Sequence, residues 1–313
     1  MEKEIDHIEG KLPKGYTPGY TRLLFNSPTH RQLQSETGWR DFYLVNRTNQ
    51  TLLAEFHCCI SEEKAINPYR APYGGLEFDP GLSQERLHHF VGFICDKLRE
   101  QVRKVCVRPR PSAYGPVHFS KETYAWLSAG FQVGAQDAHA VMTTQTSSVT
   151  KILAGSEVNR LNKCRLAGFR FENTPLDKYE EIHAFTLQCR KERGQSFSMS
   201  VPQLGAMIEK CPEEVMLFSV YKETQLTAAA ICMRVGATAV YNFSHAHLAE
   251  FDDYSPVVFL IDGIFDYCKK NGIEMIDLGS SSLEYRPNFP LLAFKERLGS
   301  CLSLKLHLEK DLR

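Results

Sequence analysis

The sequence predicts a mixed α+β chain of the α/β class, built as two tandem units over residues 1–150 and 151–313, each a mostly antiparallel sheet flanked by helices. Three observations carry this. A chain of 313 residues, 43% of them hydrophobic, is long enough for two cores. The second half runs through helical and strand periodicities in the order helix, helix, three antiparallel strands, helix, strand, helix, strand. The same punctuation also occurs twice: Ser83 and Ser255, Val105 and Ile276, Gly130 and Gly299 stand 172, 171 and 169 residues apart, which reads as an internal duplication.

In the first half, Arg70-Ala71-Pro72-Tyr73-Gly74-Gly75 forms a polar loop after a strand. Ser83 precedes a helix in which Leu87, Phe90, Val91, Ile94 and Leu98 recur at helical spacing. Val105-Cys106-Val107 is a short strand, and Tyr124-Ala125-Trp126-Leu127 belongs to a helix ending near Gly130. In the second half, 176–193 is helical, with Tyr179, Ile182, Phe185 and Cys189 on one side, and 202–210 is a shorter helix. Strands follow at 215–221, 226–235 and 237–244, the last ending in a polar loop, Asn242-Phe243-Ser244-His245-Ala246-His247. Tyr254-Ser255-Pro256 opens the next helix: Ser255 caps its free N–H groups and Pro256 suits the first helical position. Asn271-Gly272 stops it, since Gly tolerates the left-handed conformation there. A strand at 273–278, a short helix carrying Phe294 and a strand at 302–308 complete the chain.

Composition narrows the function. Thirty-seven basic and 37 acidic residues balance to a formal net charge of zero, which argues against a large nucleic-acid surface. Local basic clusters remain at Arg99, Arg103, Lys104, Arg108 and Arg110 and at Arg160, Lys163 and Arg165; they read as solvated helix faces or as a groove for a phosphorylated acceptor or a tRNA end. No apolar run approaches the roughly 18 residues of a membrane span. The charged N-terminus lacks the apolar core of a signal peptide. Ten cysteines, none in C-x-x-C spacing, sit mostly in apolar stretches, the pattern of a reduced, cytoplasmic protein without structural disulfides. Gly-x-Ser-x-Gly, phosphate-binding P-loop and Gly-x-Gly-x-x-Gly motifs are absent.

The element order resembles the GNAT acetyltransferase fold. Two such units resemble the Fem-type peptidyltransferases and the related bacterial acyltransferases. "YRAPYGGLEF" at 69–78, "IDLGSSS" at 276–282, "FKERLG" at 294–299 and the joining helix "NRLNKCRLAGF" at 159–169 carry the resemblance. It implies a cleft where two parallel strands splay and leave backbone N–H and C=O groups for an acyl donor's amides. The loop after Leu278 forms one wall, and Phe294-Lys295 the far rim. It also implies a thioester donor such as acyl-coenzyme A, a small amine or peptide-like acceptor held by the N-terminal unit, and no metal. One departure stands out. Where simple acetyl-coenzyme A enzymes carry a Gly-rich turn for the pyrophosphate, this chain reads Leu248-Ala249-Glu250-Phe251-Asp252-Asp253-Tyr254-Ser255-Pro256, whose carboxylates repel phosphate. An aminoacyl-tRNA donor and a non-catalytic ligand-binding protein therefore stay open beside the thioester reading.

The candidate catalytic residues are Lys295, Asp277, His245 and Tyr254. Lys295 meets a phosphate or developing oxyanion, or is an exposed lysine paired with Glu296. Asp277, inside an apolar strand, orients an amine or serves as base, or bonds the following loop amides. His245 and His247, two apart on a strand, point to one face; His245 is the candidate base, and no third ligand at a telling spacing supports a metal. Tyr254 can give a proton to a leaving group. The candidate substrate-binding residues are Arg70, Tyr73, Gly74, Gly75, Asn242, Ser244, Gly279, Ser280, Ser281, Asn288 and Phe294. Of these, Gly74 and Gly75 either admit a close ligand or make a tight turn.

Overall fold

The computed structural model describes residues 4–313. It divides into two compact units: the chain up to Asp137 together with Ser303–Arg313, and Ala138–Leu302. The sequence reading instead placed the division at 150/151 and kept 151–313 together. The difference has a local cause. The strand Cys301–Asp311 pairs antiparallel with Lys104–Val107, Leu308 opposite Val107, and buries Leu306, Leu308 and Leu312 in the first unit's core.

In the first unit, Ile5–Glu9, Trp39–Asn46, Thr51–Ser61 and Lys64–Asn67 form an antiparallel series, and Lys64–Asn67 then pairs parallel with Lys104–Val107. Ser83 Oγ accepts the Arg86 N–H, so Gln84–Leu98 starts as predicted. That helix packs Leu87, Phe90, Val91 and Ile94 against Phe42, Phe56 and Trp126.

The second unit's sheet runs in the order Phe169–Thr174, Val215–Lys222, Gln225–Arg234, Ala239–His247, Met275–Ser280, and then residues 138–143 of the strand Gln132–Thr143. Every pairing is antiparallel except Ala239–His247 with Met275–Ser280. In both units, then, a parallel strand pair brackets the helix that follows Ser83 or Ser255. Helix Pro256–Lys270 drives Val258, Leu260, Ile261, Ile264 and Phe265, none more than 1% exposed, into the core. Each contributes about 1.5–3 kcal/mol through burial. The helix ends as expected, with Asn271 as C-cap and Gly272 at φ 67°. Its start differs: Ser255 is left-handed (φ 57°, ψ 59°) and its side chain caps nothing.

After Met275–Ser280 the Ser-rich loop is a two-stranded hairpin, Ser282–Leu283 against Arg286–Pro287, turning through Glu284 and Tyr285 at φ 48° and 62°. Helix Phe289–Arg297 follows, with Asn288 Oδ1 accepting the Leu291 N–H. Eight of the ten cysteines are buried, and burial raises their thiol pKa values, that of Cys164 to about 12. Among the described residues no helix is long and apolar enough to cross a membrane.

Candidate active site

The parallel strands Ala239–His247 and Met275–Ser280 pair only at Ala239–Met275, Val240–Ile276 and Tyr241–Asp277. Beyond Tyr241 one strand continues along Gln225–Arg234, while the other turns away at Gly279, φ 76°. A cleft of about 870 Å³ opens between them, lined by both strand ends, the end of helix Tyr179–Glu192, Ser255, and Leu291, Phe294 and Lys295 of the last helix. The splay implied by the resemblance is thus present in the second unit.

A bulge shapes one wall. Cys232 stands opposite Asn242 and Ile231 opposite Ser244, so Phe243 has no counterpart in the register. The extra residue brings Asn242 and His245 to one side of the strand, where Asn242 Nδ2 lies 3.1 Å from His245 Nδ1. Burial first, and then the Lys295 charge, push the His245 imidazole down to about 3, so it is neutral at pH 7. His247 sits on the same side, as expected. Its Nε2 lies 2.7 Å from Asp252 Oδ1 and 3.0 Å from Arg193 Nη2. Ser244 Oγ and Asn242 Oδ1 are buried at the cleft wall and bond no group among the described residues.

The other wall is held from both sides. Asp277, fully buried, accepts the Gly279 N–H at 2.7 Å, and its Oδ1 is 2.7 Å from His139 Nε2. The loop-amide bond foreseen for Asp277 is therefore present, but the histidine partner was not foreseen. Lys295 is only 3% exposed and donates to the carbonyls of Gly279 and Ser280, at 2.9 and 2.8 Å. It is not the exposed lysine of the alternative reading. Phe294 is half-buried and lines the cleft, with Arg297 over its ring. Gly279, Ser280 and Asn288 also line it. Ser281 is buried, and its backbone bonds Ala138 and Asn288.

Electrostatics set this cleft apart from the neutral chain. Arg160, Arg190, Arg193 and Lys295 line it, Arg160 paired with Glu157 and Arg193 with Asp252 behind the wall, and none of its lining side chains is a carboxylate. The acidic run that precedes the helix lies off the lining. Asp252 is taken up by Arg193 and His247, and Glu250 by Gln225. The repulsion expected from that run is correspondingly weakened.

Several expected residues lie elsewhere. Tyr254 packs on Phe169, with Lys163 and Lys222 at 4.7 and 4.8 Å from its ring centroid, and does not line the cleft. Arg70, Tyr73, Gly74 and Gly75 belong to the first unit. Arg70 is exposed, and Tyr73 is fully buried against Phe25 and Tyr114. Gly75, at φ 87°, donates to Asn67 Oδ1 and leaves no room for a Cβ beside Glu122, as a tight turn does. Most of the basic clusters are spent on ion pairs, among them Arg103–Glu63, Lys104–Glu309, Arg110–Glu77 and Arg165–Asp262. Arg190, Arg193 and His139 were missed. The two arginines stand three apart at a helix end, where a solvated face is the ordinary expectation.

Residues 157–286 match the family described as Acetyltransferase (GNAT) domain. Similar solved structures include FemX, at 12% identity and TM-score 0.67, covering 92% of each chain. L-PGS from Bacillus licheniformis aligns at 9% identity and TM-score 0.57, over 83% of this chain and 82% of that one. A tandem GNAT protein from the clavulanic acid biosynthesis pathway aligns at 9% and 0.51, over 88% and 83%. No curated protein matches the sequence. At such identities the likeness establishes the fold, which is the tandem GNAT-like, Fem-like one that the sequence resemblance implied.

Proposed function

We propose that this chain is an N-acyltransferase that takes an acyl group from an anionic carrier and passes it to an amine, with a thioester such as acyl-coenzyme A as the donor. One observation carries the reading: the splayed-strand cleft is lined by four cationic side chains and no carboxylate. Such a lining favours a carrier bearing phosphates and holds it before chemistry begins. The match of residues 157–286 to the acetyltransferase family supports it.

In this reading the amine nitrogen attacks the carbonyl carbon, the bond to the carrier breaks, and the nitrogen's proton ends on the departing atom. His245 is a hydrogen-bond donor rather than a base. With Asn242 donating to Nδ1, a neutral imidazole keeps its proton on Nε2, where it can support the oxyanion as it forms. Lys295 adds positive charge to the same wall. We further read the two units as an internal duplication, the N-terminal one holding a small amine or peptide-like acceptor, in a cytoplasmic protein.

An aminoacyl-tRNA donor is the second reading, and the helix start favours it. Pro256 has no N–H and the Val258 N–H is spent on Ser255 O, which leaves the Val257 amide at the helix start, so phosphates depend mainly on arginines. Calorimetric titration with acetyl- and longer acyl-coenzyme A, beside a binding assay with aminoacyl-tRNA, tests both. Binding of neither leaves the non-catalytic reading.

A further inference from the structure

We propose that His139 is a positioning residue of this cleft: through Asp277 it fixes the Gly279–Ser280 peptide on which Lys295 is seated. The kinetic arm of this proposal rests on the acyl-transfer reading, whereas the structural arm rests on geometry alone.

His139 and Asp277 are both 0% exposed, and neither lines the cleft. A carboxylate there is costly unless it is paired, and two leucines would fill the same space more cheaply. The ladder gives a reason for the carboxylate. Asp277 stands opposite Val141, but Ser280 stands opposite His139, so the register slips between them and leaves Leu278 and Gly279 outside the regular pairing. Gly279's N–H, lacking a place in that ladder, is taken by Asp277 Oδ1 at 2.7 Å.

With its N–H held inward and its φ at 76°, Gly279 presents its carbonyl to Lys295 Nζ at 2.9 Å. The links run from His139 to Asp277, then to Gly279 and Lys295, from the core to the cleft wall. Tyr241 joins them from the neighbouring strand. It is paired with Asp277, its ring lies parallel to His139 at 6.4 Å, and it lines the cleft. His139 therefore acts on the reacting groups through Asp277 rather than by lining the cleft itself. Its task is to keep that carboxylate oriented and bonded to Gly279.

The test compares wild type with His139→Leu/Asp277→Leu, which removes both buried polar groups together and so leaves no unpaired charge, and with His139→Gln, which keeps a nitrogen donor. Three quantities are read: melting temperature, hydrogen exchange at the Gly279 amide by NMR, and turnover with acetyl-coenzyme A and a simple amine. The double variant should melt within a few degrees of wild type, with Gly279 exchanging on the order of a hundredfold faster, as about 1.4 kcal/mol per decade translates the loss of a charge-assisted bond. Its kcat should fall at least tenfold while KM changes less than threefold, and His139→Gln should restore both. A folded double variant with wild-type protection at Gly279 overturns the proposal. If the double variant does not fold, Asp277→Asn decides. It offers Gly279 only a weaker neutral acceptor, so exchange there must rise at least tenfold, and unchanged exchange overturns the proposal. Wild-type protein that turns over no acyl carrier sinks the donor reading and leaves the exchange measurements to judge His139.

Discussion

The ammonium of Lys295 is buried against the carbonyl oxygen of Gly279, 2.9 Å away, at the point where the strand leaves the sheet and the cleft begins. The lysine is thus both part of the wall and the charge nearest the splay. A purely exposed lysine would leave stability unchanged on removal. Lys295→Met should instead cost about 1.5–3 kcal/mol, since two carbonyls lose a charged donor. It should also weaken donor binding or turnover by about two orders of magnitude. Thermal melts and calorimetry on one preparation check both. Wild-type affinity in a destabilised variant would make the lysine structural only.

Arg193 should separate binding from stability. Its side chain is 33% exposed and pairs with the more exposed Asp252. Arg193→Ala should therefore shift stability by no more than about 0.5 kcal/mol, while an anionic donor binds roughly tenfold less tightly and with a flatter salt dependence. Titrations at low and high salt measure the difference.

His245 makes the fold acid-sensitive. Its folded pKa of about 3 lies below the unfolded value of 6.5, so the unfolded chain takes up the proton first as pH falls. The stability from its neutral form is complete above about 6.5 and is lost progressively as pH drops toward 3. His30, held down at about 4 by burial, adds a slope of the same sign. Glu55, held at about 2 against burial by His57 and Arg22, acts only below about 4.5. Urea unfolding of His245→Gln should show a shallower loss between pH 6.5 and 4 than wild type. An unchanged slope would place the acid sensitivity elsewhere.

Gly279 is at φ 76°, yet an added Cβ would meet only Tyr241 at 3.5 Å, an ordinary contact. The cost of Gly279→Ala is therefore backbone strain, about 1–2 kcal/mol, and Gly279→Asn should cost less because Asn tolerates that region better. Equal melting temperatures for both variants would contradict the left-handed turn.

Much of this architecture was legible locally. Pro256 and Asn271-Gly272 bound the long helix because capping chemistry acts within a few residues, and periodicity placed most of the second unit's elements to within about three positions, the strand Phe169–Thr174 excepted. The loop after Leu278 and Phe294-Lys295 were recognisable as cleft walls only through the family resemblance. What stayed hidden was non-local. The strand Cys301–Asp311 looks like any terminal strand until its partner is known to be Lys104–Val107, just over two hundred residues away. His139 is one histidine in an alternating strand, and nothing near it points to Asp277. Ser255-Pro256 has the composition of a cap, yet the turn before it sets Ser255 left-handed. The alternative of an exposed Lys295 stood because the carbonyls that bury it come from the end of the strand Met275–Ser280, fifteen or sixteen residues earlier in the chain.

The central claim is that the cationic cleft of the second unit holds the acyl carrier. The most direct test is calorimetric titration of wild type and Arg190→Glu/Arg193→Glu with acyl-coenzyme A and with aminoacyl-tRNA. Arg190 is half-buried and donates to Ser196 O, and Arg193 pairs with Asp252, so thermal melts of both proteins accompany the titrations to establish that the variant is folded. The account predicts that wild type binds one of these carriers and that the variant loses at least a hundredfold in affinity for it. Equal affinity in the two proteins would contradict it.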